Sequence, residues 1–308
     1  MSWTMDQRHS WHRNDAGVST IVSMSLQNVT QRTTEIARQV AYRVLGRSVA
    51  RSVSHSVQDA LSYASYKASP RARASASRLR DLQGMYTGRR AFIIGNGPSL
   101  RRMDLAPLRG EITFGLNRIN LIFSKLGFGT TFLVAVNRLV VQQSGGEILT
   151  APVSERFISW SAREYLPSAS HPILLRSLTS PQFSKDAAVG VWEGATVTYV
   201  AMQLAYHLGI RDVVLIGVDH TFVTTGAPHT VVTSNEPDRN HFDPSYFGPG
   251  YRWQLPDLET SEVAYRMARS AFEAVGGRVR DATVDGQLDV FPKVDFAALF
   301  SESGEGTA

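Results

Sequence analysis

From Arg90 onward, short apolar runs alternate with longer stretches of helical periodicity. Ala91 to Gly95 (AFIIG), Ile112 to Gly115 (ITFG) and Phe132 to Val136 (FLVAV) are too short for stable helices and apolar on both faces. That pattern predicts buried strands of a parallel sheet. Further strands are expected at Phe157 to Trp160, Ile173 to Leu175, Val213 to Ile216 and Arg278 to Ala282, with helices at Arg118 to Leu126, Thr196 to Leu208 and Glu259 to Val275. Strand and helix in alternation predict an α/β fold, a Rossmann-like, mostly parallel sheet with flanking helices. Residues 221–256 break the pattern, being rich in Pro, Gly, Asn, Asp and aromatics. So long a stretch without periodicity inside a domain predicts a lid over a site.

The N-terminal part reads differently. Residues 1–25 lack periodicity, which predicts disorder. Between residues 26 and 68, Ile36, Val40 and Val44, then Val49, Val53, Val57 and Leu61, recur every fourth residue among Arg, Ser and Gln. These are the marks of an amphipathic helix, interrupted near Gly46. Ser69 to Ala74 then reads as a linker leading to a short helix before Gly88. The expected organisation is a basic helical N-terminal extension over 1–84, a nucleotide-dependent domain over 85–300 with its lid at 221–256, and a disordered tail at 301–308.

Charge sharpens this division. Residues 1–90 hold 14 Lys and Arg against 5 Asp and Glu, whereas residues 91–308 hold 18 against 22. The basicity therefore belongs to the extension. It suits either peripheral contact with an anionic membrane through residues 26–68, or packing on the main domain or on a second subunit of a homo-oligomer. The net acidic main domain argues against nucleic acid as a partner. Hydrophobic residues make up 43% of the chain and there is no Cys, which excludes thiolate nucleophiles, thiolate metal sites and disulfide scaffolds. No apolar run is long enough for a membrane span and the N-terminus lacks a signal-peptide core, so the expected location is cytoplasmic, peripheral at the inner face of the membrane if the basic helix docks there.

The candidate chemistry gathers at the carboxyl ends of the strands, where open α/β sheets bind ligands. Gly95-Asn96-Gly97-Pro98-Ser99-Leu100 directly follows the first strand, and a small-residue turn there lets backbone N–H groups approach a phosphate. It matches neither a dinucleotide fingerprint nor a P-loop. Asn117 and Asn137 follow the second and third strands, as readers of a base edge or sugar hydroxyl or as helix caps. Gly194-Ala195-Thr196 opens a helix whose positive end suits an anion. Asp219 lies just beyond a strand, where it would bind Mg²⁺, hold a sugar hydroxyl, orient a base or cap a loop. Within the lid, His241 is the candidate general base. Tyr246, Tyr251 and Arg252 would contact substrate as the lid closes, or fasten the lid to the core.

Four segments carry a family resemblance: FIIGNGPSL (Phe92 to Leu100), TFGLNRI (Thr113 to Ile119), WEGATVTYVAMQLAYHLG (Trp192 to Gly209) and LIGVDHTF (Leu215 to Phe222). Over about residues 85–300 the chain resembles the MptE-like family, named for 6-hydroxymethylpterin diphosphokinases. That family is in turn similar to bacterial lipooligosaccharide sialyltransferases and flagellin nonulosonate glycosyltransferases. The resemblance implies a glycosyltransferase that moves an acidic sugar from a CMP-activated donor to a glycan acceptor hydroxyl, with no metal or other cofactor. Asn96 and Asn117 would contact the CMP moiety, the 194–196 turn would lie near its ribose or phosphate, and His241 would deprotonate the acceptor. The alternative implied is a pyrophosphokinase, which requires Mg²⁺ and carboxylates such as Asp104 and Asp219. A third reading is a nucleotide-binding module without catalysis.

Overall fold

The computed structural model describes residues 60–301. The chain divides into two compact units, residues 1–64 and 65–308. The expectations for residues 1–25 and for the 301–308 tail beyond Ser301 lie outside the described residues, as does the amphipathic pattern of 26–68 apart from a helical segment at 60–68. No helix among the described residues is long and apolar enough to cross a membrane.

The second unit is built on a seven-stranded sheet in which every pairing is parallel. Its strands are β1 (Arg90–Ile94), β2 (Ile112–Leu116), β3 (Phe132–Ala135), β4 (Glu155–Ser159), β5 (Ile173–Leu175), β8 (Asp212–Ile216) and β11 (Arg278–Asp281). Two short pairs complete the set, β6 (Ser177–Leu178) with β7 (Val191–Trp192) and β9 (Val231–Thr233) with β10 (Arg252–Gln254). The strand order β11-β8-β1-β2-β3-β4-β5 makes this a Rossmann-like α/β fold. The chain runs outward from β1 to β5, then returns to lay β8 on the other side of β1. The crevice between β1 and β8 is thus the switch point at which such sheets bind ligands.

Both faces of the sheet are covered, which explains the unbroken apolar runs of its strands. Ala91, Ile93, Phe114 and Phe132 pack on α3 (Val197–His207) and α4 (Leu258–Glu273). Phe92, Ile94, Leu133 and Ala135 face α2 (Arg138–Thr150) and the lid aromatics. Helix α3 is buried almost throughout, and among its buried polar side chains Gln203 accepts from the Ser184 and Trp192 amides and donates to the Trp192 carbonyl.

Four elements depart from the sequence reading. Ser69 to Ala74 is not a linker but the start of α1 (Pro70–Leu82): the Ser69 hydroxyl caps it and Pro70 occupies the first turn, where a missing N–H costs nothing. Its buried side chains Ala72, Leu79 and Leu82 join the core of this unit, although the sequence reading assigned them to the extension ending at residue 84. The helix also shields the sheet edge: Ser75 accepts the Leu174 amide and Tyr66 donates to the Leu174 carbonyl, so edge strand β5 is not left open. Second, α2 was not anticipated, because Gly145 and Gly146 weaken its helical signal. Third, the lid is not structureless. It holds the β9–β10 hairpin and sinks Phe242, Tyr246, Phe247, Trp253 and Leu255 into the core. The segment expected as one helix at Arg118 to Leu126 is a 3-10 turn, Ile119–Ile122, followed by one α-turn, Phe123–Leu126.

Candidate active site

A cleft of about 670 Å³ opens at the switch point, lined by the ends of β1, β2, β3 and β8, the start of α3, the start of α4 and the lid. The Gly95–Ser99 turn forms its floor in a way the sequence did not foretell. Gly95 N–H donates to the Ile216 carbonyl at 2.8 Å, Gly97 N–H to the Gly217 carbonyl at 2.9 Å, and Ser99 N–H to the Asp219 carboxylate at 3.0 Å. These three amides therefore do not face a phosphate, because the topology lays β8 and its following loop against them. The glycines are dictated by the same approach: a Cβ on Gly95 would lie 2.2 Å from the Gly217 oxygen, and one on Gly97 1.8 Å from Asp219 Oδ2. Asp219 is occupied too, its second oxygen accepting the Ser99 hydroxyl at 2.6 Å. Its place in the structure is that of a cap on the turn.

What the floor offers a ligand is Asn96 and Asn117. Both line the cleft, and each has its side-chain oxygen buried without a protein partner. An unpaired buried acceptor costs about 1–3 kcal/mol, which a ligand donor would relieve. Asn117 sits at φ +50° with its side chain beside the Tyr246 hydroxyl. Asn137, by contrast, spends its oxygen capping α2 through the Leu139 and Val140 amides. It lines the cleft as a cap.

The turn at 194–196 delivers the α3 N-terminus to the cleft. Gly194 has φ +54° and its Cα lies so near Ala264 and Tyr199 that a Cβ would collide with both. Ala195, at φ +59°, is exposed to the cleft, and Thr196 caps the helix through Thr198 N–H while its hydroxyl bonds to Tyr265. The positive end of an 11-residue helix thus faces the cavity. Among the described residues lining it there is no Lys or Arg.

The lid supplies the titratable chemistry. His241 lines the cleft, with Nδ1 2.7 Å from Asp238 Oδ2 and its ring stacked on Tyr246 at 4.0 Å. Asp238 also accepts the Asn240 and Phe247 amides. Burial opposes its ionisation, but the His241 hydrogen bond and charge together with those two amides outweigh burial and hold the carboxyl below the ordinary carboxylate value. A carboxylate on Nδ1 fixes the tautomer that leaves Nε2 as the proton acceptor, the arrangement of a general base. Asp238 escaped the sequence reading, although its spacing of three from His241 was available.

Tyr246 is buried, and burial pushes its phenol well up. Arg118, also missed, is buried beneath the lid. Its guanidinium donates to the Ser245 carbonyl at 2.9 Å and to the Tyr246 carbonyl, pairs with Glu147 at 3.0 Å and lies 4.6 Å from the Tyr251 ring centre. Tyr251 and Arg252 lie outside the cleft lining, Arg252 bonding instead to Gln142 and Gln143 on α2. The lid aromatics and Arg252 thereby fasten the lid. Two further histidine–carboxylate pairs reach the cleft, His220 with Glu262 at 3.3 Å and His229 with Asp257 at 3.2 Å. Asp104 is elsewhere, capping the Ala106 amide. The described residues contain no group of three or more His, Asp or Glu placed to hold a metal ion.

No protein-family model matches the chain, and no curated protein does. Among solved structures it is similar to the MAf glycosyltransferase from Magnetospirillum magneticum AMB-1, at 12% identity and a TM-score of 0.41 over 72% of this chain. The chain spans 38% of that protein's length.

Proposed function

We propose that this chain is a glycosyltransferase that takes a sugar from a nucleotide-activated donor and passes it to an acceptor hydroxyl. The observation that carries the reading is that His241, oriented by Asp238, opens on the same cleft as the unpartnered oxygens of Asn96 and Asn117. The two oxygens await hydrogen-bond donors, such as the amino group of a cytosine or the hydroxyls of a ribose. A CMP-activated donor suits them.

In this mechanism His241 Nε2 takes the acceptor proton, the acceptor oxygen attacks the anomeric carbon, and the bond to phosphate breaks with its electron pair left on the phosphate oxygen. The α3 N-terminus meets that charge, since preoriented dipoles stabilise charge where it develops. An acidic sugar destined for a surface glycan is the finer form of the proposal, taken from the family resemblance. Its carboxylate would rely on the helix end and the histidines. Calorimetry with CMP, UDP, GDP and ATP, each with and without Mg²⁺, tests the binding step, and release of CMP from CMP-activated sugars tests turnover. The expected result is metal-independent binding of CMP, with His241→Ala slowing turnover ~10²- to 10⁴-fold at little cost in affinity. Full activity of His241→Ala together with abolition by EDTA would refute the mechanism and favour phosphoryl transfer.

A further inference from the structure

Glu193 plays no part in the mechanism above, yet it lines the cleft at the residue before the turn that opens α3. Its main-chain carbonyl accepts the Thr196 amide, which ties its position to the helix start. Ser177 donates to its carboxyl oxygen at 2.5 Å. Behind Ser177 the hydroxyls continue: Ser159 lies 3.4 Å from Ser177, and Ser161 2.8 Å from Ser159. Ser159, at the end of β4, is fully buried, whereas Ser161 is exposed. Where Glu193 Oε1 accepts from Ser177, as it must once the carboxyl has lost its proton, Ser159 is left to donate to Ser177 and Ser161 to Ser159. In that state every hydroxyl points its proton toward the carboxylate, along a path from the protein surface to the wall of the cleft.

We propose that Glu193 is a second proton-transfer group of this site, the acid that protonates the departing phosphate, and that Ser161, Ser159 and Ser177 form the relay that reloads it. The proposal rests on the glycosyl-transfer reading. As the bond from the anomeric carbon to the phosphate oxygen breaks, the electron pair stays on that oxygen and takes up the Glu193 proton, while His241 holds the proton of the acceptor. The Glu193 carboxylate then regains a proton by successive transfers from Ser177, Ser159 and Ser161, the last drawing on solvent. A ligand filling the cleft would shut out water on the front side, which gives a rear path its use.

Electrostatics agree with an acid in this position. Burial pushes the Glu193 carboxyl up, and the Ser177 hydrogen bond only partly offsets it. No charged side chain contributes to that balance. The other titratable groups around the cleft are Asp219 and His220 beyond β8, His229, His241 and Tyr246 in the lid, and Asp257 and Tyr265 on α4 or at its start. A neutral acid beside the α3 N-terminus leaves the positive helix end free for phosphate, where a carboxylate would repel it.

Two measurements on the full chain test this. Infrared spectroscopy of protein with carbon-13-labelled glutamate reads the protonated carboxyl directly, and the band assigned to Glu193 should persist at neutral pH and vanish in Glu193→Gln. Turnover of a CMP-activated sugar should fall ~10²- to 10⁴-fold in Glu193→Gln, with KM little changed. Ser159→Ala, which touches no ligand, should keep the infrared band but slow turnover, and more so in D₂O. Thermal unfolding of each variant controls for folding, with Ser177→Ala as the second relay variant. Unchanged turnover in Glu193→Gln, or an ionised Glu193 at neutral pH in a wild-type protein that turns the donor over, would overturn the proposal while leaving the transferase reading intact. Failure of the wild-type protein to turn over any donor would overturn the reading itself and the acid role with it.

Discussion

Gly97→Ala separates two reasons for a glycine in the Gly95–Ser99 turn. If the position were small only to admit a ligand, the unliganded protein would tolerate a methyl group. Gly97 has φ −69° and ψ 158°, which any L-residue adopts, so no backbone strain confuses the comparison. The structure puts the new Cβ 1.8 Å from Asp219 Oδ2, 2.4 Å from Asp219 Cγ and 2.9 Å from the Gly217 carbonyl oxygen. The carboxylate must therefore swing away, and both of its bonds from Ser99, at 3.0 and 2.6 Å, are lost. Hydrogen bonds to charged groups are worth about 1.5–3 kcal/mol each, so allowing for water replacing them on the cleft side the expected loss is about 3 kcal/mol. For a unit of this size that corresponds to a fall in Tm of about 6–12 °C. Thermal and urea unfolding of the unliganded protein measure it. A double-mutant cycle assigns the cause: Gly97→Ala in an Asp219→Gly background should cost far less than in the wild type, since only the Gly217 contact remains. Gly97→Ala within about 0.5 kcal/mol of wild type, the range of ordinary surface changes, would refute the steric argument. Additive effects in the cycle would refute the role given to Asp219.

Other expectations follow from the lid and the floor. Asp238→Asn removes the anion that orients His241 and should lower turnover by at least about tenfold, read from steady-state kinetics. Because the Asp238 carboxyl is held low in the folded state, its stabilising contribution is present above the unfolded value of about 3.9 and is lost as pH falls through the folded value. Urea unfolding at a series of acid pH values should accordingly show a shallower loss of stability in Asp238→Asn than in the wild type. Arg118→Ala strips the lid of two carbonyl contacts and the Glu147 pair. Local opening of residues 238–251 should become easier by about 3 kcal/mol, seen as faster amide exchange there with α3 unaffected. Asn96→Ala should weaken nucleotide binding by about 1–3 kcal/mol in calorimetry while leaving the unliganded protein no less stable, since it deletes a buried acceptor that has no partner. A drop in stability with unchanged affinity would reverse the role assigned to Asn96.

The sequence by itself determined the strands of the main sheet and pointed to the edge where the candidate site lies. AFIIG, FLVAV and VVLI are legible because a strand covered on both faces must be apolar at every position, and the turn after the first strand is legible because glycine punctuates it. Helices α3 and α4 were legible from their periodicity, whereas α2 was hidden by Gly145 and Gly146, and α1 by a Ser-Pro pair that reads equally as linker or as helix cap. Of the residues lining the cleft, Asn96, Asn117 and His241 could be named from their positions. What they do could not, because the deciding contacts join residues far apart in the chain. Asp219 meets Ser99 across 120 positions, and with the β8 carbonyl and the Gly217 carbonyl it engages the Gly95, Gly97 and Ser99 amides of an apparent phosphate loop. The buried Arg118 reaches the lid 127 residues later, and the hydroxyl path to Glu193 assembles from the end of β4, the start of β6 and the end of β7. Local pattern fixes where a strand ends and which side chains emerge there. Only the strand order, which returns β8 to the side of β1, decides which of those groups satisfy one another and which are left for a ligand.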